Sequence, residues 1–302
     1  MTRLRICIKG AGEMASAVAW RLYMAHLRRI LMLELPEPLA IRRRVSFSEV
    51  VCAGCQTVEG VQAVRTDGTE GTERAWAAGH IAVAVDPERR MAKDLRPEVV
   101  VDARLAKKNL DTTMEEAPLV IALGPGFSAG RDAHYVIETN RGHNLGRIIQ
   151  KGCADPNTGI PGSINGFTVE RLLRAPAAGV FLPLKEIGDL VKQGEIIGRV
   201  GEAAVEARID GVLRGLMRPF VRVDKGLRIG DIDPRGDVAA CHSISDKARA
   251  IAGSVLEAVL RTYNLRLDFG EWKKTKEQLP HLLLLEMPDV MCEKLFPRRM
   301  SG

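Results

Sequence analysis

Aromatic side chains are scarce: Phe, Trp and Tyr together make up 4% of the 302 residues. Single-stranded nucleic acid is held by exposed aromatics stacked along a basic groove. The scarcity therefore predicts no nucleic-acid partner, despite a net charge of +6. No run of about 18 uncharged apolar residues occurs, so no membrane span is expected. Zinc-type spacing is missing too. Cys52 and Cys55 form one CxxC, but no second pair and no paired histidines follow, so no metal site is predicted. Those two thiols read as small buried residues near a helix end. Met1-Thr2-Arg3 runs straight into a short apolar strand rather than a long signal core, which predicts a cytoplasmic chain whose six cysteines stay reduced. Arg28-Arg29 and Arg42-Arg43-Arg44 read as solvated basic faces. A mild positive charge suits small anionic molecules or an acidic protein partner.

What is present is ordinary globular composition, with 46% hydrophobic and 27% charged residues. The length allows two domains. In "LRICIKGAGEMASAVAWRLYMAH", Leu4, Ile6 and Ile8 alternate as a strand, and Gly10-Ala11-Gly12-Glu13-Met14-Ala15 opens a helix. In a nucleotide-type turn Gly10 makes the bend, Gly12 lets a pyrophosphate approach, and Ala15 allows close helix packing. Free N–H groups at the helix start favour phosphate, which makes Glu13 part of the same site. "RILMLE" reads as a second strand ending at Glu34, 22 residues beyond Gly12. An acid there binds a ribose diol and repels a 2′-phosphate. A helix is expected over about Ile41–Ala53.

Four further apolar runs, 80–86, 98–104, 118–126 and 133–139, read as strands buried on both faces. The fold class expected is α/β, a Rossmann-like, mostly parallel sheet in which ligands sit beyond the carboxyl ends of the strands. Two loops reach that rim. "GPGFSAGRDAH" offers Gly126 and Arg131, and "VIETNRGHNLG" offers Glu138, Arg141 and His143. The two arginines suit an anion, and Glu138 or His143 suits proton transfer.

From Pro176 the texture changes to short strands and frequent glycines. A shift of 32 positions superposes 179–200 on 211–232, matching Gly194 to Gly226 and Gly198 to Gly230. Such a match implies two copies of one unit. It resembles the barrel-sandwich hybrid of biotinyl and lipoyl carriers, but no lysine lies between Lys192 and Lys225, so no biotin or lipoate is expected. A helix over 244–263 is capped by Ser245 or Asp246. The predicted domains are 1–150 (Rossmann-like), 151–175 (connecting), 176–235 (barrel), 236–267 (C-terminal helix) and 268–302 (a tail, disordered or a docking element).

"KGAGEMAS", "AIRRRVSFSEVV", "GPGFSAGRDAHYVIETNRGHNLGRII", "NTGIPG", "RAPAAGVF" and "ISDKARAIAG" resemble the YqeB-type accessory proteins of selenium-dependent molybdenum hydroxylase systems, over about 4–263. These are distantly similar to XdhC-type chaperones. The resemblance implies a cytoplasmic maturation factor that binds a nucleotide or molybdopterin-type anion and serves an apo-hydroxylase partner. It singles out Gly10, Gly12, Glu138, Arg141, Gly142, His143, Thr158, Gly159, Pro161, Asp246 and Lys247. The Cys52/Cys55 pair and the tail after Leu267 depart from the family pattern. The alternative is an NAD-dependent oxidoreductase in which His143 or Glu138 gives a proton to a small carbonyl substrate; the cofactor would be NAD(P) there, or a molybdopterin-type group in the maturation factor. A homo-oligomer is compatible with either.

Overall fold

The computed structural model describes residues 4–86 and 90–264, and residues up to Leu260 form one compact unit. Strands β1 (Arg5–Lys9) and β2 (Arg29–Glu34) flank helix α1 (Glu13–Met24). A four-residue helix α2 (Val50–Ala53) leads into the hairpin β3 (Cys55–Val58) and β4 (Val61–Arg65). Then come α3 (Gly68–Ala77), β5 (Ile81–Val85), α4 (Arg90–Leu95), β6 (Val99–Asp102) and β7 (Leu119–Leu123). The first half closes with β8 (Ser128–Ala129), β9 (Tyr135–Ile137), β10 (Ile148–Ile149) and β11 (Gly152–Cys153). Nine of these strands form one sheet in the order β10-β9-β7-β6-β1-β2-β5-β4-β3, while β8 pairs separately with β11.

The apolar runs form the middle of this sheet because they can be covered on both faces. Ile6, Ile8, Ile30, Met32, Ile81 and Ile121 are fully or almost fully buried. The sheet is mixed, however: β3 with β4 at one edge and β9 with β10 at the other are antiparallel. No α-helix lies between β6 and β7 or between β7 and β9, so that side lacks the repeated strand–helix crossover of a doubly wound fold. The helix expected over Ile41–Ala53 is two 3-10 turns, Arg43–Val45 and Phe47–Glu49, followed by α2. Tertiary partners take the backbone here: Phe47 N donates to Ser16 Oγ at 2.7 Å and Ser48 N to the Ala11 carbonyl at 2.8 Å.

The second half contributes β12 (Leu172–Arg174), β13 (Gly179–Pro183), β14 (Leu190–Val191), β15 (Ile196–Val200) and β16 (Ala203–Glu206). It continues with β17 (Gly211–Leu216), β18 (Arg222–Val223), β19 (Arg228–Asp233) and helix α5 (Asp246–Asn264). These strands make two antiparallel sheets, β12-β19-β17-β14 and β16-β15-β13-β18. The copies related by 32 residues exchange short strands, β14 pairing with β17 and β18 with β13, and φ at Gly194 and Gly226 is 83° and 84°.

The expected arrangement, a Rossmann-like domain followed by a separate barrel-sandwich module, is therefore corrected to a mixed sheet with several small antiparallel sheets. Strand β12 comes from the segment expected only to connect, yet it hydrogen-bonds to β19. The second half is also fastened to the first: Leu216 N donates to the Ile41 carbonyl at 2.8 Å, and Arg218 pairs with Glu49 at 2.7 Å. Cys52 and Cys55 are exposed rather than buried, because they flank the turn between α2 and the edge strand β3. No described helix is long and apolar enough to cross a membrane. The expected tail, 268–302, lies outside the described residues.

Candidate functional site

A cleft of about 970 Å³ opens where several strands of the large sheet end. The Lys9–Gly12 turn after β1, Glu34 at the end of β2 and the Ala103–Lys107 loop after β6 line it. Thr139–Arg141 after β9, the 155–162 segment, arginines of the small sheets, and Ser245 and Lys247 complete the walls. Its lining carries three lysines and seven arginines against two glutamates and three aspartates. The lining thus carries a net charge of +5, so the cleft concentrates positive charge of nearly the same size as the +6 of the whole chain.

Most of these cations are already engaged. Lys9, almost fully buried, donates to Thr112 Oγ1 at 2.7 Å and pairs with Glu116 at 2.8 Å. Arg104 pairs with Asp102 and Asp111 at 2.6 and 2.7 Å. Arg42, expected on a solvated face, is 4% exposed; it meets Glu13 at 3.3 Å and the carbonyls of Ala240 and Ser243 at 3.0 Å. Arg171 pairs with Asp231 at 3.1 Å in another buried contact. Arg141 makes a two-pronged bond to Asp246, both contacts at 2.8 Å, which holds the Asp246 carboxyl far below its usual range.

Two cations differ. Among the described residues, neither an ion pair nor a hydrogen bond occupies the side chain of Lys107 or Lys247. Desolvation pushes both ammonium pKa values down, reinforced by Arg228 at Lys107, and by Lys107 and Arg141 at Lys247. Lys107 also sits at φ 65°, and Leu105 beside it at φ 54°. Left-handed backbone at non-glycine residues costs about 1–3 kcal/mol and persists only where the surroundings impose it.

The structure separates the residues proposed from sequence. Gly10, Gly12, Glu13, Glu34 and Arg141 line the cleft, as do Thr158, Gly159, Pro161 and Lys247. Glu34 does not offer a free carboxylate: its oxygens accept from Ala11 N and Leu35 N, both at 2.8 Å, and burial raises its pKa against those two bonds. It clamps the glycine-rich turn that a ribose-binding acid leaves open. Ala15 is buried inside α1. Gly126 packs on the Lys108 backbone, and Arg131 points outward in a pair with Asp132 at 2.9 Å.

Glu138, proposed as a proton mover, is 2% exposed and does not line the cleft. It accepts from Asn140 N at 2.6 Å and Asp155 N at 2.7 Å. His143 is exposed and outside the cleft lining. In this structure, then, Glu138 is a backbone clamp and His143 a surface side chain. Sequence reading missed Lys107, Arg42, Arg171 and Arg214 as cleft residues. The "RRR" run was the one signal for Arg42, but nothing local distinguishes its buried arginine from the two that follow it.

No family model matches the chain. The chain is 49% identical over 255 residues to the uncharacterized protein YqeB of Escherichia coli (strain K12), covering 84% of this chain and 47% of that protein. It thus spans about half the length of the curated relative that it matches. Identity at that level over most of the chain supports a YqeB-type protein. Among solved structures, it aligns with a succinylglutamate desuccinylase/aspartoacylase from Rhodobacter sphaeroides at 12% identity and TM-score 0.24, covering 76% of this chain and 85% of that one. An aspartoacylase family protein from Mesorhizobium loti aligns at 13% identity and TM-score 0.25, covering 76% and 84%. These scores carry no argument for the activity of this chain. The curated relative is itself uncharacterized. Neither expected activity is carried further: nothing known of that relative supports the first, and Glu34, occupied by backbone N–H groups, removes the physical basis of the second.

Proposed function

We propose that the cleft binds a small anionic molecule, held by the ammonium groups of Lys107 and Lys247. One observation carries this reading: among the described residues, the exposed Lys107 and the partly buried Lys247 line the same cleft, and neither ammonium group makes an ion pair or hydrogen bond. A desolvated charge without a partner is costly, and an anion supplied by a ligand relieves the cost at both lysines together. The neighbouring cations suit that role because their own acids fix them in place. Arg141 on Asp246 is a rigid wall rather than a mobile competitor.

Inorganic pyrophosphate is a suitable first probe, titrated calorimetrically at fixed ionic strength. Saturable binding is expected, and Lys107→Met or Lys247→Met should each weaken it about 10–100-fold, the equivalent of losing one charged hydrogen bond of about 1.5–3 kcal/mol. Equal affinities in the native protein and both variants would show that the anion binds elsewhere.

The pH dependence has a definite sign. Both free-state pKa values lie below the ordinary 10.5, and a bound anion raises them again. Binding therefore takes up protons, and affinity falls as pH climbs through the lowered values towards 10.5. Titrations in buffers of different ionisation enthalpy read this uptake directly. Without ligand, the same shifts make the fold gain stability with rising pH in that window, because the unfolded lysines hold their protons more tightly.

A further inference from the structure

We propose that Lys247 is a nucleophilic amine that condenses reversibly with the carbonyl group of an anionic aldehyde or ketone held in this cleft. This rests on the anion-binding reading above and adds a covalent step to it.

A lysine reacts with carbonyls only as the free amine, so its surroundings must disfavour the ammonium form without withdrawing it from the ligand. Lys247 meets both conditions. It is partly buried and lines the cleft. It lies in the first turn of α5, where the positive end of the helix dipole opposes a cation. Two further cations act on it from different parts of the fold, Lys107 in the loop after β6 and Arg141 in the loop after β9.

Glu13 and Glu138 act in the opposite sense on Lys247, but both hold other hydrogen-bond partners, as does Asp246. Asp246, next in the chain, gives both oxygens to Arg141. Glu13 receives Arg42 at 3.3 Å and the Ser245 hydroxyl at 2.9 Å. Glu138 receives two backbone N–H groups. The lowered pKa of Lys247 agrees with this arrangement, with desolvation as its largest cause. Lys107 has less burial around it and stays the better anion holder.

In the step itself, the Lys247 Nζ lone pair attacks the carbonyl carbon and the C=O π pair moves to oxygen. One proton passes from nitrogen to that oxygen, giving a carbinolamine. Loss of water, which carries away the carbonyl oxygen, leaves the imine. No oxidant or reductant is consumed. The anionic group of the ligand stays at Lys107, which leaves the carbonyl beside the amine.

Pyridoxal 5′-phosphate, an aldehyde with a phosphate group, tests the proposal on the full chain at neutral pH. Borohydride reduction makes any imine permanent, and peptide mass spectrometry locates it. Lys247 should be labelled severalfold faster than Lys192, because its pKa is lowered where that of Lys192 is raised, and only the free amine reacts. Lys192 is a suitable reference because it is exposed and its pairing with Asp210 raises its pKa. Lys247→Arg should lose the fast label, whereas a site that only gathers anions would pass the label to Lys107. Labelling of Lys247 no faster than Lys192, with pyrophosphate still bound, overturns the amine and leaves the anion site. Failure of both pyrophosphate binding and selective labelling overturns both.

Discussion

Glu138→Ala is expected to destabilise the fold by about 3–5 kcal/mol, while His143→Ala, five positions later, should change stability by less than about half a kcal/mol. The contrast follows from what each side chain touches. The buried Glu138 carboxylate accepts Asn140 N at 2.6 Å and Asp155 N at 2.7 Å, which ties together the two chain segments at the rim. Its own backbone closes the loop: Glu138 N donates to the Arg147 carbonyl at 3.0 Å, and Gly146 N donates to the Glu138 carbonyl at 2.9 Å. Hydrogen bonds to a charged group contribute about 1.5–3 kcal/mol each, and truncation leaves two N–H groups without their acceptor. His143 faces water and has no comparable role. Urea unfolding of the two variants checks this. A Glu138→Ala midpoint equal to the native one would mean that the carboxylate does not hold the rim, and would reopen a chemical role for it.

The same eleven residues show what sequence can and cannot reveal. That "VIETNRGHNLG" ends a strand at the ligand rim was legible, since an apolar lead-in breaks into glycines and polar groups. That its polar groups converge was not. Glu138 turns inward to a partner 17 residues away, Arg141 reaches an acid 105 residues away, and His143 turns outward. Directions in an irregular loop are set by partners distant in the chain, and spacing carries no record of them.

The inner strands were legible for the opposite reason. Runs such as "HIAVAVD" and "PLVIALG" can only be covered on two faces, and Ile81–Val85 and Leu119–Leu123 are strands of the large sheet. Their fold class was less so. The antiparallel edges and the missing helices around β7 depend on how the short strands β3 and β10 dock, which two to four residues do not announce. Arg42 failed differently. An "RRR" run has the composition of a solvated face, yet Arg42 is drawn into the interior by Glu13 and two carbonyls some 200 residues on.

Gly126→Ala should destabilise the fold by about 3–5 kcal/mol, whereas Gly12→Ala should cost less than about 1 kcal/mol. The sequence places both glycines among the ligand-binding residues of the rim. The structure gives them different duties. A Cβ on Gly126 would lie 2.5 Å from Lys108 Cα and 2.7 Å from its nitrogen, and φ there is 104°, a value that side chains rarely allow. The obstacle is main chain, so no rotamer change relieves it. The loop through Lys108 must move, and with it the bond from Asn109 N to the Gly126 carbonyl at 3.1 Å. Gly12 is the N-cap of α1 with an extended backbone, φ −69°, and no atom lies within 4 Å of the place an alanine methyl would take. Alanine fits there, and only the modest capping preference for glycine is lost. Because Lys107 precedes the residue that Gly126 presses against, Gly126→Ala should also weaken pyrophosphate binding, and Gly12→Ala should do so only if the anion reaches the helix start. Chemical denaturation and calorimetry on the two variants separate these effects. Equal stability of both would mean that the 103–110 loop is not held by the glycine beneath it, and that Lys107 owes its place in the cleft to something else.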